Sequence, residues 1–430
     1  MRINGKKVNV EAIFIVLIII SLALENFKLF TVMEAAFKPI QIIALLAAIY
    51  CAMFNAITVK KIMYTMLFLA VPLCPLYRIS DKQEFLKTYV IYAIIVLFVI
   101  YALPSLKNEF KERAQGYLKL FNFVIAVLAV LGIVQFILMN FFGVMFLEGI
   151  FGAFQFHFSA TTMQSGFYRA YSLFHEPSYF GWVLDIALVV NLVTLGKKPS
   201  LEKILFIVLL IFTTLLTISS SALWIMAIIL FTYLLSIRKI NLNMVLGALA
   251  VLGVLVIIVA FVDFSFITSS MTRLFRELNT ENTSGYERIT APMEYVKATM
   301  ENYPLFGRGM GQEGDVDKVG TIGVYTAVNN SVFGSLVIFG LSAIVYYVWL
   351  AKQFFGSEFS KKTRLKRILL FVSIFGMYFA SGAFLSFDTF IFTVVVMFVL
   401  SSMETKNIEL SENCTEQEII DENINNCSRL

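Results

Sequence analysis

The chain has 430 residues, of which 59% are hydrophobic and 15% charged, with a formal net charge of +5 and a mean hydropathy of +0.81. That balance lies outside the range of water-soluble domains and excludes them. The apolar residues come in runs of about twenty, the length at which an α-helix crosses a hydrocarbon core of roughly 30 Å, and not in the short alternating strands of a β-barrel.

In chain order, the first six runs predict spans at Val10 to Leu24, Phe37 to Asn55, Ile62 to Tyr77, Lys87 to Leu103, Tyr117 to Phe142 and Pro177 to Leu195. Six more follow at Lys203 to Ile218, Ser221 to Ile237, Asn243 to Val262, Ser331 to Ala351, Ile368 to Ala383 and Asp388 to Met403. The expected fold class is therefore all-α, a polytopic transmembrane helical bundle of about twelve spans with a partly helical external loop. Residues 1–142 hold the first five spans, 143–176 an external loop, 177–262 the next four spans, 263–330 a large external loop and 331–403 the last three spans. Residues 404–430 form a tail rich in Glu and Asn whose low hydrophobicity predicts disorder.

Lys and Arg near span ends remain cytoplasmic, and here they set a direction. Nineteen lie in the connections read as cytoplasmic, from Arg2, Lys6 and Lys7 through Lys107, Lys111 and Arg113 to Lys366 and Arg367. The short external connections carry only Lys28, Lys38, Arg78, Lys82, Lys87 and Arg169. Both termini are placed in the cytoplasm, and the net charge reflects topology in a lipid bilayer, with no nucleic-acid partner. The first span lacks a cleavage site followed by a soluble domain and is read as retained. Cys51 and Cys74 fall in or beside spans and Cys414 and Cys427 in the tail, which gives neither a disulfide framework nor zinc spacing.

The two external loops hold nearly all the candidate chemistry. The first is aromatic, with Phe151, Phe154, Phe156, Phe158, Phe167 and Tyr168. Such rings suit the membrane interface, either as a plain aromatic belt or as a roof over a lipid substrate. It ends in Arg169 and the run Phe174-His175-Glu176-Pro177-Ser178. Pro177 suits a first helical turn, which puts Glu176 at the N-cap, where a carboxylate serves as a cap or as a base beside the helix dipole. Neither His175 nor His157 has metal-ligand spacing. Asp185 follows Ser178 by seven residues, on the same face and about 10 Å further along the axis, where a carboxylate must be paired or line a wet cavity. It is a candidate for orienting Arg169, and equally for a structural ion pair.

In the second loop, Ser284-Gly-Tyr-Glu287 reads as a capping box leading into Arg288. Ile289, Met293, Val296, Met300 and Tyr303 then form an amphipathic stripe that suits the membrane surface or the bundle. Pro292 cannot donate to the carbonyl of Arg288, so the helix kinks there or starts near Thr290, with Arg288 at its beginning in either case. Next, Gly307, Gly309 and Gly311 alternate around Arg308, a pattern that lets backbone amides approach an anion and that equally serves a tight turn. Three external arginines, 169, 288 and 308, match phosphate oxygens bidentately without a metal. Asp315-Val-Asp317 resembles a nucleotide-sugar metal pair, but no nucleotide-binding domain accompanies it.

These features together resemble the bacterial O-antigen polymerase and O-antigen ligase superfamily, the Wzy-type integral membrane glycosyltransferases. The resemblance runs from about Tyr117 to Gly340 and rests on Arg169, the His175-Glu176-Pro177 run, Arg288, the glycine turn around Arg308, and Asn329-Asn330 ahead of Gly340. Ligase relatives carry histidine where Asn329 stands, and many members carry arginine within the turn that reads Ser219-Ser220-Ser221 here, so the polymerase branch is the better match. The resemblance implies a GT-C-like enzyme of the bacterial inner membrane, free of metal and cofactor. It would move a growing capsule, exopolysaccharide or O-antigen glycan from undecaprenyl diphosphate onto a lipid-linked repeat unit. It also implies a flippase and a chain-length regulator as partners. Glu176 or His175 would be the base, and Arg288 and Arg169 would stabilise the leaving diphosphate. Arg308, Gly307, Gly309, Gly311, Asn329, Asn330 and Asp185 would bind substrate. A ligase is the nearest alternative. A flippase or secondary transporter is the alternative of another class, disfavoured by the absence of two related halves and by the 68-residue loop from Asp263 to Asn330.

Overall fold

A computed structural model describes residues 2–3, 6–7, 9–32, 35–79, 81–151, 163–164, 167–196, 199–236, 272, 286–311, 330–355, 364–380 and 390–403. The predicted ninth span, His157, Ser284, Asp315, Asp317, Asn329, Cys414, Cys427 and the acidic tail lie outside the described residues, as does the side chain of Glu287.

The first eight helices used below are α1 (Val10–Ser21), α2 (Pro39–Phe54), α3 (Val59–Ala70), α4 (Lys82–Leu97), α5 (Leu103–Glu112), α6 (Ala114–Phe142), α7 (Phe146–Phe151) and α8 (Pro177–Val193). After these come α9 (Leu201–Leu216), α10 (Ser220–Ser236), α11 (Ala291–Asn302), α12 (Ser331–Phe339), α13 (Ala343–Phe355) and α14 (Arg364–Ala380), and finally α15 (Phe390–Met403). Strands among the described residues are confined to three two-stranded antiparallel ribbons.

Local chemistry sets the helix ends. Asp81 accepts the amides of Gln83 and Glu84 at 3.0 and 2.9 Å to start α4, and Ser200 and Thr58 cap α9 and α3 in the same way. Gly143, at φ +67°, ends α6, and the amide of Val144 reaches back to Leu138 at 3.1 Å. Between α4 and α5 the helix widens into a π-turn over Phe98–Ala102. Pro104 explains it, because proline has no amide to offer the carbonyl one turn earlier and its ring crowds that turn.

Among the described residues, four helical stretches suffice by length and composition to cross a membrane: Val59–Arg78, Lys82–Glu112, Ala114–Phe142 and Ser331–Phe355. Five more are apolar but shorter, Val10–Leu24, Pro39–Phe54, Pro177–Val193, Ser220–Leu234 and Phe390–Met403. One of the four differs from the single run expected from its sequence, for Ser331–Phe355 is interrupted at Gly340–Ser342.

The helices divide by what surrounds them. In α8 every residue but Tyr179 is buried, and the helix packs against α6, α9, α10 and α14. Its sequence is apolar on all sides, as a central helix requires. In α3 no residue is buried, and Met63, Met66 and Leu67 point outward, the pattern of a helix whose neighbour is lipid.

Charges at the end read as cytoplasmic do structural work. Lys366 Nζ donates to the carbonyl of Val193, the last residue of α8, and Arg367 to that of Phe354 at 3.2 Å. Each cation thus meets an orphan carbonyl at the negative end of a helix. Buried Glu109 accepts from the Asn9 side chain and from the Tyr117 hydroxyl at 2.9 Å, joining the starts of α1 and α6 to α5. Replacing Glu109 with alanine leaves both donors without their acceptor, at about 1–3 kcal/mol for each buried group. The melting temperature of the detergent-purified protein is expected to fall by several degrees, and an unchanged value would contradict the staple.

Candidate functional site

Gly340 breaks the helical run at φ +59° and ψ −144°, a conformation that favours glycine. The break frees carbonyls at the end of α12, and the glycine turn after α11 takes them. Arg308 and Gly309 donate their amides to Val337 and Ile338 at 2.8 and 3.1 Å. In return Leu341 and Ser342 donate to Pro304 and Leu305 at 2.7 and 3.2 Å. This exchange of four backbone bonds requires close contact. A Cβ on Gly307 would lie 2.5 Å from the Ile338 carbonyl, and one on Gly340 2.4 Å from that of Pro304.

Of the two readings of the alternating glycines, these contacts are those of a tight turn. The amide of Gly307 is also committed, to Tyr303 at 3.0 Å. Gly309 and Gly311 face the connection between α3 and α4, at Pro75 and Ile79 and at Glu84 and Phe85. These glycines serve packing between chain segments. The amides of Gly307 and Gly309 are taken by Tyr303 and Ile338.

Asn330 begins α12 and holds its start. Its Oδ1 accepts the amides of Val332 and Phe333 at 3.0 and 3.1 Å, and its Nδ2 donates to the carbonyls of Arg288 and Phe379 at 3.0 and 2.6 Å. With two bonds accepted, two donated and the side chain fully buried, no capacity remains for substrate. Asn330 thus holds three segments together through its side chain. It joins the π-turn Tyr286–Thr290, where Arg288 lies, to the starts of α12 and the end of α14.

Arg308 is buried, with its Nε on Thr299 Oγ1 at 3.1 Å and its guanidinium 5.9 Å from the ring centre of Tyr295. Burial raises the Tyr295 pKa, an effect that the nearby Arg308 charge opposes. The buried face of α11 is Ala291, Pro292, Tyr295 and Thr299, whereas Met293 is 54% exposed. Of the apolar stripe, Met293 lies off that face, whereas Val296 packs against the cluster of Ala291, Tyr295 and Val337.

The connection between α3 and α4 supplies a residue counted at first only for topology. Arg78 Nη2 donates to the carbonyl of Gly307 at 3.3 Å, and its guanidinium lies 4.3 Å from the Tyr303 ring and 5.2 Å from that of Tyr77. The sequence signal for it was an arginine between short apolar turns at an external end, easily taken for a stray charge.

A second group forms around the start of α8. The chain from Ala170 to Phe174 is buried, and a buried side chain satisfies its backbone, since Gln135 Oε1 accepts the amides of Tyr171 and Ser172 at 3.0 and 2.8 Å. Irregular backbone among apolar helices needs such a partner. Arg169 Nε donates to the Thr217 carbonyl at 3.1 Å, at the C-terminal end of α9, and so anchors the segment on the negative pole of that helix. The chain then emerges with His175 exposed and Glu176 half-buried. Glu176 does occupy the N-cap position of α8, but its side chain makes no cap bond. Its carboxylate accepts instead from Ser178 Oγ at 3.1 Å.

Asp185 departs from expectation. Both of its oxygens are buried with no hydrogen-bond partner among the described residues, Arg169 included. Trp182 Nε1, one turn earlier on α8, is in the same condition. Asp185 sits within the bundle core, away from the exposed end where Glu176 lies, because α8 is enclosed on every side.

Replacing Gly340 with alanine is expected to pull the glycine turn off α12. Limited proteolysis of the purified protein should then cut between residues 303 and 311 well before the wild type does; an unchanged digestion pattern would contradict the described exchange.

A family model described as WcaD colanic acid polymerase matches residues 13–402. No curated protein matches, and no solved structure does.

Proposed function

The chain belongs to the WcaD colanic acid polymerase family, a Wzy-type polysaccharide polymerase family, and from that premise we propose how its outer residues carry out the transfer. The proposed donor is a growing glycan on undecaprenyl diphosphate, and the proposed acceptor a lipid-linked repeat unit. Both would be held at the outer face of the bacterial inner membrane by a bundle of about twelve spans with cytoplasmic termini.

The observation that carries the catalytic reading is Glu176. It stands at the exposed end of the central helix, and its carboxylate is held by one hydroxyl, Ser178 Oγ at 3.1 Å, without a capping duty. A carboxylate so placed is oriented and still has lone pairs for a substrate proton. In the proposed step the acceptor hydroxyl gives its proton to Glu176 while its oxygen bonds to the anomeric carbon of the donor. The anomeric carbon–oxygen bond breaks, and its electron pair leaves on the lipid diphosphate. Charge growing there is met by the guanidinium of Arg288, with the positive Arg169 beside the second group, as preorganised electrostatic stabilisation. Arg308 is assigned to the frame that aims the Arg288 turn, since its own side chain is buried against Thr299 and Tyr295. His175, exposed beside Glu176, is the reserve base.

Loss of a general base costs about 10²–10⁴ in rate. Replacing Glu176 with glutamine keeps an acceptor for the Ser178 hydroxyl and removes the basicity. Cells carrying only this variant should express it at the normal level and accumulate single repeat units on the lipid carrier. Wild-type polymer in those cells would rule Glu176 out as the base. Lysine in place of Arg288 keeps the charge and loses the planar fork. It should shorten the polymer sharply, and wild-type chain length would remove Arg288 from the leaving-group site.

A further inference from the structure

The proposed reaction involves two lipid diphosphates. The donor's leaves, whereas the acceptor's stays intact at the far end of a repeat unit whose other end reacts. We infer that Arg78, stacked on Tyr303 above the glycine turn, is the phosphate contact for the acceptor lipid, at a site separate from that of Arg288. This inference rests on the polymerase reading above.

Three observations carry it. The first is that Arg78 is an unbalanced cation among the described residues. Its Nη2 donates to a neutral carbonyl, its Nε is buried without an acceptor, and it has no carboxylate partner there. The nearest acids along the chain are engaged elsewhere, Asp81 with the amides that start α4 and Glu84 with Lys87 at 2.9 Å. The rings of Tyr303 and Tyr77 lie 4.3 and 5.2 Å from the guanidinium, and a planar fork suits a phosphate.

The second is separation. Asn330 ties the Arg288 carbonyl to the first turn of α12, and the turn bearing the Arg78 contact is bonded to its last residues. The nine residues of α12 put about 13 Å between those points at 1.5 Å per residue. The Arg288 turn and the carbonyl that Arg78 meets thus stand at opposite ends of α12.

The third is the apolar setting. Arg78 follows α3, which has no buried residue, and its chain neighbours Leu73, Leu76 and Tyr77 are exposed, Tyr77 at 84%, as is Leu305 two residues before the Gly307 that Arg78 meets. A cation on a lipid-facing apolar rim matches a phosphate that carries a polyprenyl chain, and matches free pyrophosphate poorly.

The test uses the full chain in nanodiscs and counts bound undecaprenyl diphosphate, with undecaprenyl monophosphate and inorganic pyrophosphate as competitors. Wild type should bind two molecules per chain and Arg78→Gln one, with the melting temperature recorded for each. Because Arg78 also holds the turn, Arg78→Lys serves as the second variant, keeping the charge without the fork. It should weaken one of the two sites about tenfold, equivalent to about 1.4 kcal/mol. Two undiminished sites in both variants, or a single site in wild type that Arg78→Lys leaves unchanged, would overturn the inference while leaving the polymerase reading intact. Displacement by pyrophosphate as effective as by the lipid would overturn the lipid assignment. No binding to wild type would count against the polymerase reading itself.

Discussion

The end of this bundle that carries the glycine turn depends on one break in a helix. Gly340 interrupts the run from Ser331 to Phe355, and the carbonyls and amides released there are answered by the turn from Pro304 to Gly309. Apolar surroundings make that exchange obligatory, since an unpaired peptide group in such a setting costs several kcal/mol. Once the exchange is made, the position of Arg308 follows, and so does the carbonyl that Arg78 meets. Asn330 fixes the other end of α12 by filling every bond it can make. A nine-residue helix thereby becomes a rigid bar between the Arg288 turn and the connection from α3 to α4.

The central helix obeys a different constraint. It is enclosed on all sides, so polar chemistry is tolerable only at its exposed end, where Glu176 and Ser178 stand. The segment that leads there passes through the interior on the amide acceptor of Gln135 and the carbonyl of Thr217. These are structural solutions to burying backbone, and they deliver a carboxylate to the surface of the bundle in a fixed orientation. Asp185 is the exception within α8, a carboxyl without a partner among the described residues.

Much of this was legible in the sequence wherever a short-range rule applied. Hydrophobic runs marked helices, Pro177 marked the start of α8, and Pro292 marked the first turn of α11. What remained hidden depended on partners distant in sequence. Alternating glycines read the same whether they cradle an anion or pack against a broken helix 30 residues away, and only the carbonyls of Val337 and Ile338 decide between the two. The role of Asn330 was hidden because its four bonds reach three segments, the first turn of α12, Arg288 and Phe379. On α11 the buried face carries Tyr295 and Thr299, the partners of Arg308, and Met293 of the stripe lies off it. Arg78 was passed over because its significance comes from Gly307 and Tyr303, more than 200 positions on.

The family match over residues 13–402 supplies the reaction class, and the mechanism we propose performs it with arginine charge and one carboxylate base. Such chemistry requires no bound cation to neutralise the leaving diphosphate. The most direct measurement is polymerisation by the purified protein from a lipid-linked repeat unit in the presence of a strong chelator. The account predicts polymer of undiminished length. Polymer formed only after magnesium or manganese is restored would contradict it.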